Sequence, residues 1–331
     1  MEEILSSRIS LAEEEPAPLD FETSEAAEKD RELVAASFFD ADAMREAPRQ
    51  LYRHDGPEGR FYYTLTEVEG EAVPRVRIYP SVTTVIRGTT AMPPFLLKWI
   101  ADYGQRRAEQ IRDEKGAYGT LLHVLFGEFM IAGEIGLDGL AARVIAWAIA
   151  KRLPWDTSRW AEMLRQDLVG LVGFLFEKDF HPIGVEVPLA SDELGYAGCI
   201  DLVGRCGDDP FLTLADFKSN RISFYEEQEI QVAAYRDLWN ENFPKQRVER
   251  LMLFGSKDWD EDSRERYRLR AVKESPRTTT LFPTLLRTWD LTHVGSSSRR
   301  PRISGTLRLS NPGSLSVAFE TLEESLASRR A

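Results

Sequence analysis

A mixed α/β fold, a sheet with helices packed against it, is what this sequence predicts, and three observations predict it. Residues 95–180 carry apolar side chains at helical spacing. Between 184 and 272 the texture switches to short alternating segments interrupted by one helical stretch. Two of those apolar segments carry an acid, Asp201 and Asp216. The order is helix, three strands, helix, strand, as expected when helices cover a mostly buried sheet.

At 331 residues and 43 % apolar content the chain can bury a substantial core. No apolar run approaches the roughly 18 residues of a membrane helix, so no membrane association is expected. The opening Met1-Glu2-Glu3-Ile4-Leu5 is acidic where a secretory signal is basic, so the cytoplasm, of a bacterial or phage-infected cell, is the expected location. Cys199 and Cys206 lie an odd number of residues apart in one strand, which argues against a disulfide between them. Two thiols cannot supply a four-cysteine zinc site or iron–sulfur cluster.

The net charge of −12 is unevenly placed. Residues 1–50 hold 14 acidic and 5 basic side chains, so the remainder is close to neutral. Any grip on nucleic acid must come from a local patch and bound metal, not a global field. Residues 1–55 read as an acidic, flexible arm with a short helix near Ala26–Ala36. The arm is either a solvated tail or a segment that occupies a nucleic-acid groove, in which case deleting 1–50 raises activity.

Residues 56–275 are expected to form a single domain. Phe61–Val68 and Val76–Tyr79, with Glu69-Gly70-Glu71 between, predict a hairpin over 60–79. A helical part follows over 81–180, with Ser81 as a helix cap. Helices are expected from Phe95, from Gly119 to Phe126, over 139–152 and over 158–180. In the last, Met163, Leu164, Leu168, Leu171, Phe174 and Phe176 are expected to build the apolar face. Strands are expected at Gly184–Leu189, Tyr196–Cys206, Phe211–Lys218, Val248–Gly255 and Glu265–Val272, with a helix over Glu226–Asn240; this catalytic part covers 181–272. Residues 276–331, rich in Ser, Thr, Arg, Pro and Gly, read as a low-complexity, mobile segment, most linker-like at Ser296–Arg302.

The chemistry-bearing residues gather in the strands. Alternation puts Leu214, Asp216 and Lys218 on one face and Phe217 on the other. An acid and a lysine at a strand end suit a cleft, although a surface ion pair has the same pattern. Asp201, between apolar neighbours, is expected to be at least half buried and to need a partner, either backbone donors, an arginine or a metal shared with Asp216. Glu186 is a third acid on the preceding strand. His123, among leucines, reads as a core histidine unless the acids join it as metal ligands. Gln231 and Tyr235, four apart on a helix, share a face.

Taken together, Gly119-Thr120-x-x-His123, Glu186, Gly198-x-x-Asp201, Asp216-x-Lys218 and Gln231-x-x-x-Tyr235 resemble the PD-(D/E)xK nuclease superfamily, in its RecB-like and phage-type exonuclease branch. The resemblance covers roughly residues 80–256 and implies a restriction-endonuclease-like core with a metal-dependent deoxyribonuclease activity, more exonuclease than endonuclease, giving 5′-phosphate products in recombination, repair or phage DNA processing. The alternative is a non-catalytic DNA-binding subunit on the same fold. By resemblance, His123, Asp201, Asp216 and the Phe217 carbonyl bind Mg²⁺, with Mn²⁺ as substitute. Lys218, Asp216, Asp201 and Glu186 form the catalytic set, and Gln231, Tyr235, Thr120 and Ser219 contact the strand. DNA is the expected partner. A helicase or strand-annealing protein would be a separate chain, and a homo-oligomer is compatible with the resemblance.

Overall fold

The computed structural model describes residues 37–38, 51–56, 59–66, 75–221, 223–260, 262–293, 307–308 and 316–317. The helix expected near Ala26–Ala36 and the Ser296–Arg302 stretch lie outside the described residues.

The centre is a six-stranded mixed sheet. Its strands, in spatial order, are β1 (Ser37–Phe38), β5 (Phe180–Ser191), β6 (Tyr196–Cys206), β7 (Leu212–Lys218), β8 (Val248–Ser256) and β9 (Tyr267–Val272). All neighbours are antiparallel except β7 and β8, which run parallel because α6 (Glu226–Asn242) crosses between them. Strands β6 and β7 are buried along nearly their whole length, so both faces must be covered. On one face lies α6, through Ile230, Ala234, Leu238 and Trp239. The other face is covered by α3 (Gln105–Ala132) and α5 (Trp160–Glu177), through Leu125, Phe126, Leu168 and Phe174. The mixed sheet with flanking helices is the fold class predicted from sequence.

A second, three-stranded antiparallel sheet of β2 (Tyr52–Gly56), β3 (Gly59–Thr66) and β4 (Arg75–Pro80) precedes α1 (Val82–Thr89). The predicted hairpin is therefore extended by β2, and the expected flexible arm cannot run to residue 55. Ser81 caps α1 as predicted, its hydroxyl accepting the Thr84 N–H at 3.0 Å. It also bridges to Ala197 of β6, which joins the small sheet to the large one. Helices α2 (Pro94–Tyr103) and α4 (Leu140–Ala150) complete the helical part.

Three further expectations are corrected. The helix expected from Gly119 begins fourteen residues earlier and runs through Gly116, Gly119 and Gly127. Phe176 is 83 % exposed and takes no part in the apolar face of α5. It stands two residues from Phe174, more than half a turn away on a helix, so the two cannot share a face. Residues 276–331 are not uniformly without fold: a π-helical turn at Arg277–Leu281 leads into α7 (Phe282–His293). Its Phe282, Leu286, Trp289 and His293 are buried. Gly88 of α1 makes this seat, since a Cβ there would stand 2.3 Å from the Trp289 ring.

Among the described residues no helix is long and apolar enough to cross a membrane, and Cys199 and Cys206 are both free thiols.

Candidate metal centre

Backbone pairing between β6 and β7 ends at Leu202 and Ala215. Continued by one residue, the register would set Asp201 opposite Asp216; instead the strands part, and Asp201 Oδ2 accepts the Phe217 N–H at 2.6 Å. On the other side of β6, the pairs Val185–Leu202 and Val187–Ile200 put Glu186 opposite Asp201. Three acids thus stand in a row across three neighbouring strands. Asp201 is 7 % and Asp216 1 % exposed, so water does little to separate their charges.

Glu186 adopts φ +50°, a left-handed conformation that costs a non-glycine residue about 1 kcal/mol or more. Its effect is visible in the packing: Val185 joins the core under α3 and α5, while Val187 joins the core under α6. Residues two apart in a regular strand face the same way. The turned backbone aims the Glu186 carboxylate at α3, where its Oε1 lies 2.7 Å from His123 Nδ1. The same nitrogen is 3.7 Å from Asp201 Oδ1. Ligand atoms of His123, Glu186 and Asp201 all fall within 4.8 Å of one another, a spacing that fits one divalent cation. The Cys199 thiol, behind this group, donates to Glu186 Oε2 at 3.5 Å.

Asp216 stands beside that group and faces a different set of partners. The Lys218 ammonium lies 2.5 Å from Asp216 Oδ2. Gln231 donates to Asp216 Oδ1 at 3.2 Å and to the Tyr235 hydroxyl at 2.9 Å, and its carbonyl accepts from Lys218 at 3.2 Å. As alternation predicts, Phe217 turns the other way, into the core under α3 and α5. Gly198 admits this arrangement, because a Cβ there would stand 2.5 Å from the Tyr235 ring. Gln231 and Tyr235 therefore touch the Asp216–Lys218 pair. Thr120 spends its hydroxyl on the Gly116 carbonyl at 3.0 Å, one turn back along α3. Ser219 is half-buried and lies across from Gly119. The atom of Phe217 that reaches an acid is its N–H.

The electrostatics bear on whether a cation fits. Burial alone would lower the pKa of His123, but Asp201 and Glu186 outweigh it and lift the imidazole to about 9. Burial, reinforced by Asp216 and Glu186, lifts Asp201 to about 7 against the pull of His123. Glu186 is held below its ordinary range despite burial, by the charge and hydrogen bond of His123. Asp216 Oδ2 is buried, with the Lys218 charge beside it but no bond of hydrogen-bonding geometry. The buried Asp201 and Asp216 and the half-buried Glu186 face one imidazole and one ammonium, with Arg53 adding positive charge on the Glu186 side, and a divalent cation suits such oxygen donors.

A pH dependence follows. In the metal-free protein His123 and Asp201 both hold protons more tightly folded than unfolded. The Asp201 contribution to stability is lost as pH rises through about 7, and that of His123 as it rises through about 9. Thermal stability without metal should therefore fall from pH 7 to pH 9. Over the same window the stabilisation by Mn²⁺ should grow, because the ion competes with those protons. Melting curves with Mn²⁺ and with EDTA check both trends; parallel curves would contradict them.

A second buried network went unrecognised in the sequence. The Tyr118 hydroxyl donates to Asp167 Oδ2 at 2.6 Å, and Arg221 Nη2 lies 2.8 Å from Asp167 Oδ1. Arg221 also reaches Asp258 at 2.6 Å. Tyr118 is five residues before His123 and Arg221 three after Lys218, so Asp167 ties together the two segments that carry them. Tyr118 and Arg221 are signalled in sequence by nearness to the motif residues, and Asp167 is not. Asp167→Ala leaves Arg221 with the exposed Asp258 carboxylate and a long 3.5 Å bond to the Met163 carbonyl, and should cost on the order of 3 kcal/mol. Urea denaturation checks this, and an unchanged midpoint would refute it.

No protein-family model matches the chain, and no curated protein matches it in sequence. Among solved structures it is similar to a candidate exonuclease from Eubacterium rectale, at 9 % identity and a TM-score of 0.32, over 52 % of this chain and 67 % of that one. A likeness so slight decides nothing about function. What the site can do rests on its own chemistry: imidazole and carboxylates set to hold a cation, and a lysine beside them.

Proposed function

We propose that this chain is a divalent-metal-dependent nuclease that hydrolyses phosphodiester bonds in DNA, working from strand ends and leaving 5′-phosphates. One observation carries the reading: ligand atoms of His123, Glu186 and Asp201 within 4.8 Å of one another, beside an Asp216–Lys218 pair 2.5 Å apart. His123, Glu186 and Asp201 would hold the ion, Mg²⁺ or Mn²⁺. Bound there, it would supply Lewis-acid stabilisation of phosphate charge and acidify a water.

The remaining work falls to the side chains. Water oxygen attacks phosphorus and loses a proton to solvent, the bond from phosphorus to the 3′ oxygen breaks, and the leaving 3′ oxygen takes up a proton from solvent to become a hydroxyl. Lys218 orients that water and offsets charge building on the phosphate. Asp216 and the Gln231 carbonyl hold the ammonium in place, and Tyr235 fixes Gln231 from the far side. To hold the ion, His123 and Asp201 would have to be deprotonated, their protons passing to solvent.

Incubating the purified protein with end-labelled linear and closed circular DNA, in Mg²⁺ or EDTA, tests this. Metal-dependent loss of the linear form alone is the expected result. Cutting of circles would make it an endonuclease, and binding without cutting in Mg²⁺ or Mn²⁺ would overturn the catalytic reading in favour of a DNA-binding subunit.

A further inference from the structure

The small sheet places arginines beside the acid site that no step above uses. Arg53 faces Tyr62 in the β2–β3 register, and Asp55 faces Arg60, so all four share one face of the hairpin. Tyr62, fully buried, packs with Cys199, the residue whose thiol reaches Glu186. Arg53 and Arg60 therefore flank the side chain that abuts the acid cluster. Both lean on the same carboxylate: Arg53 Nε is 3.0 Å from Asp55 Oδ2 and Arg60 Nε 2.7 Å from Oδ1. Two guanidinium groups share one negative charge.

A third arginine joins them. The Arg60 backbone is fastened to α1, its N–H donating to Thr84 Oγ1 and its carbonyl accepting from the same hydroxyl, each at 2.8 Å. Arg87 stands three residues beyond Thr84, on the same side of that helix. It is exposed, and no carboxylate pairs with it among the described residues. Although the residue is open to solvent, partial desolvation by the surrounding protein, and then the charges of Arg112 and Arg60, push its pKa down, so like charges crowd here. Asp55 is the one carboxylate in ion-pair contact with Arg53 and Arg60, and Arg53 also helps hold Glu186 ionised, so the arginines outnumber the carboxylates that pair with them directly.

We propose that Arg53, Arg60 and Arg87 form a phosphate-binding shelf that holds a backbone phosphate of the nucleic-acid strand on the Glu186 side of the cleavage site, with Asp55 as the internal counter-ion that the phosphate displaces. The shelf deepens the nuclease reading and rests on it. It positions the strand through its backbone and carries no base preference.

The test is fluorescence anisotropy with a labelled DNA duplex in EDTA, titrated across a range of salt. Arg87→Gln should weaken binding about tenfold and reduce the slope of log affinity against log salt by about 0.9. Arg53→Gln/Arg87→Gln should reduce it by about twice that. Asp55→Asn should tighten binding, although it removes two ion pairs, which mere damage to the hairpin would not do. Arg250→Gln, at the other end of the large sheet, is the control and should leave binding unchanged. If the wild-type protein binds DNA and the Arg87 and Arg53 variants keep its affinity and slope, the shelf is wrong while the nuclease reading stands. A wild-type protein that neither binds nor cuts DNA removes that reading and the shelf with it.

Discussion

Lys218→Ala is expected to abolish DNA cleavage, lowering the rate by about 10²- to 10⁴-fold, while duplex binding stays within a few-fold of wild type. The ammonium is 2.5 Å from Asp216 and accepted by Gln231 at 3.2 Å, so it is held in one place. Its loss removes the group proposed to orient water, without touching the small sheet. It also leaves Asp216 as a buried carboxylate with only Gln231 donating to it, so the variant should be less stable. The readouts separate: single-turnover cleavage at saturating protein reports the chemistry, and anisotropy reports the grip. Wild-type rates in Lys218→Ala would refute its role.

Asp201→Asn should have an effect at least as large, and an opposite sign in stability. Asparagine keeps an oxygen for the Phe217 N–H and removes one of three neighbouring negative charges. At pH 8 the metal-free variant should therefore melt higher than the metal-free wild type. Cleavage should vanish, and so should the rise in melting temperature on adding Mn²⁺. A variant that melts lower without metal, yet still responds to Mn²⁺, would mean that Asp201 is a structural acid and no ligand.

Much of this site could be read from the sequence because strands translate spacing into geometry. Alternation puts Asp216 and Lys218 on one face with Phe217 behind them, and the structure keeps that face. The apolar neighbours of Asp201 announce its burial, and a helix cap shows at Ser81. What stayed hidden has definite physical causes. No periodicity foretells that Glu186 sits at φ +50°, the turn that points it at His123. In α3 three glycines, each costing up to about 1 kcal/mol relative to alanine, obscure a helix that tertiary packing sustains. In α7 the apolar residues Phe282, Leu286 and Trp289 do follow helical spacing, but Pro283 and a run of threonines mask them. Tyr118 and Asp167 come from two helices and Arg221 from the loop after β7, and only the folded chain brings them together.

The separation of Asp216 from the three-residue group refines the ligand set that the resemblance implies. Its nearest partners are Lys218 and Gln231, while Glu186 takes the place closest to the imidazole. The family resemblance named the residues; the distances divide them into a His123–Glu186–Asp201 group and an Asp216–Lys218 pair.

The most direct measurement is anomalous X-ray scattering from crystals soaked in Mn²⁺. A single strong peak among His123 Nδ1, Glu186 and Asp201, absent from crystals of Asp201→Asn, is the predicted result. Ordered crystals that take up manganese elsewhere, or nowhere, while these side chains keep their present positions would contradict it.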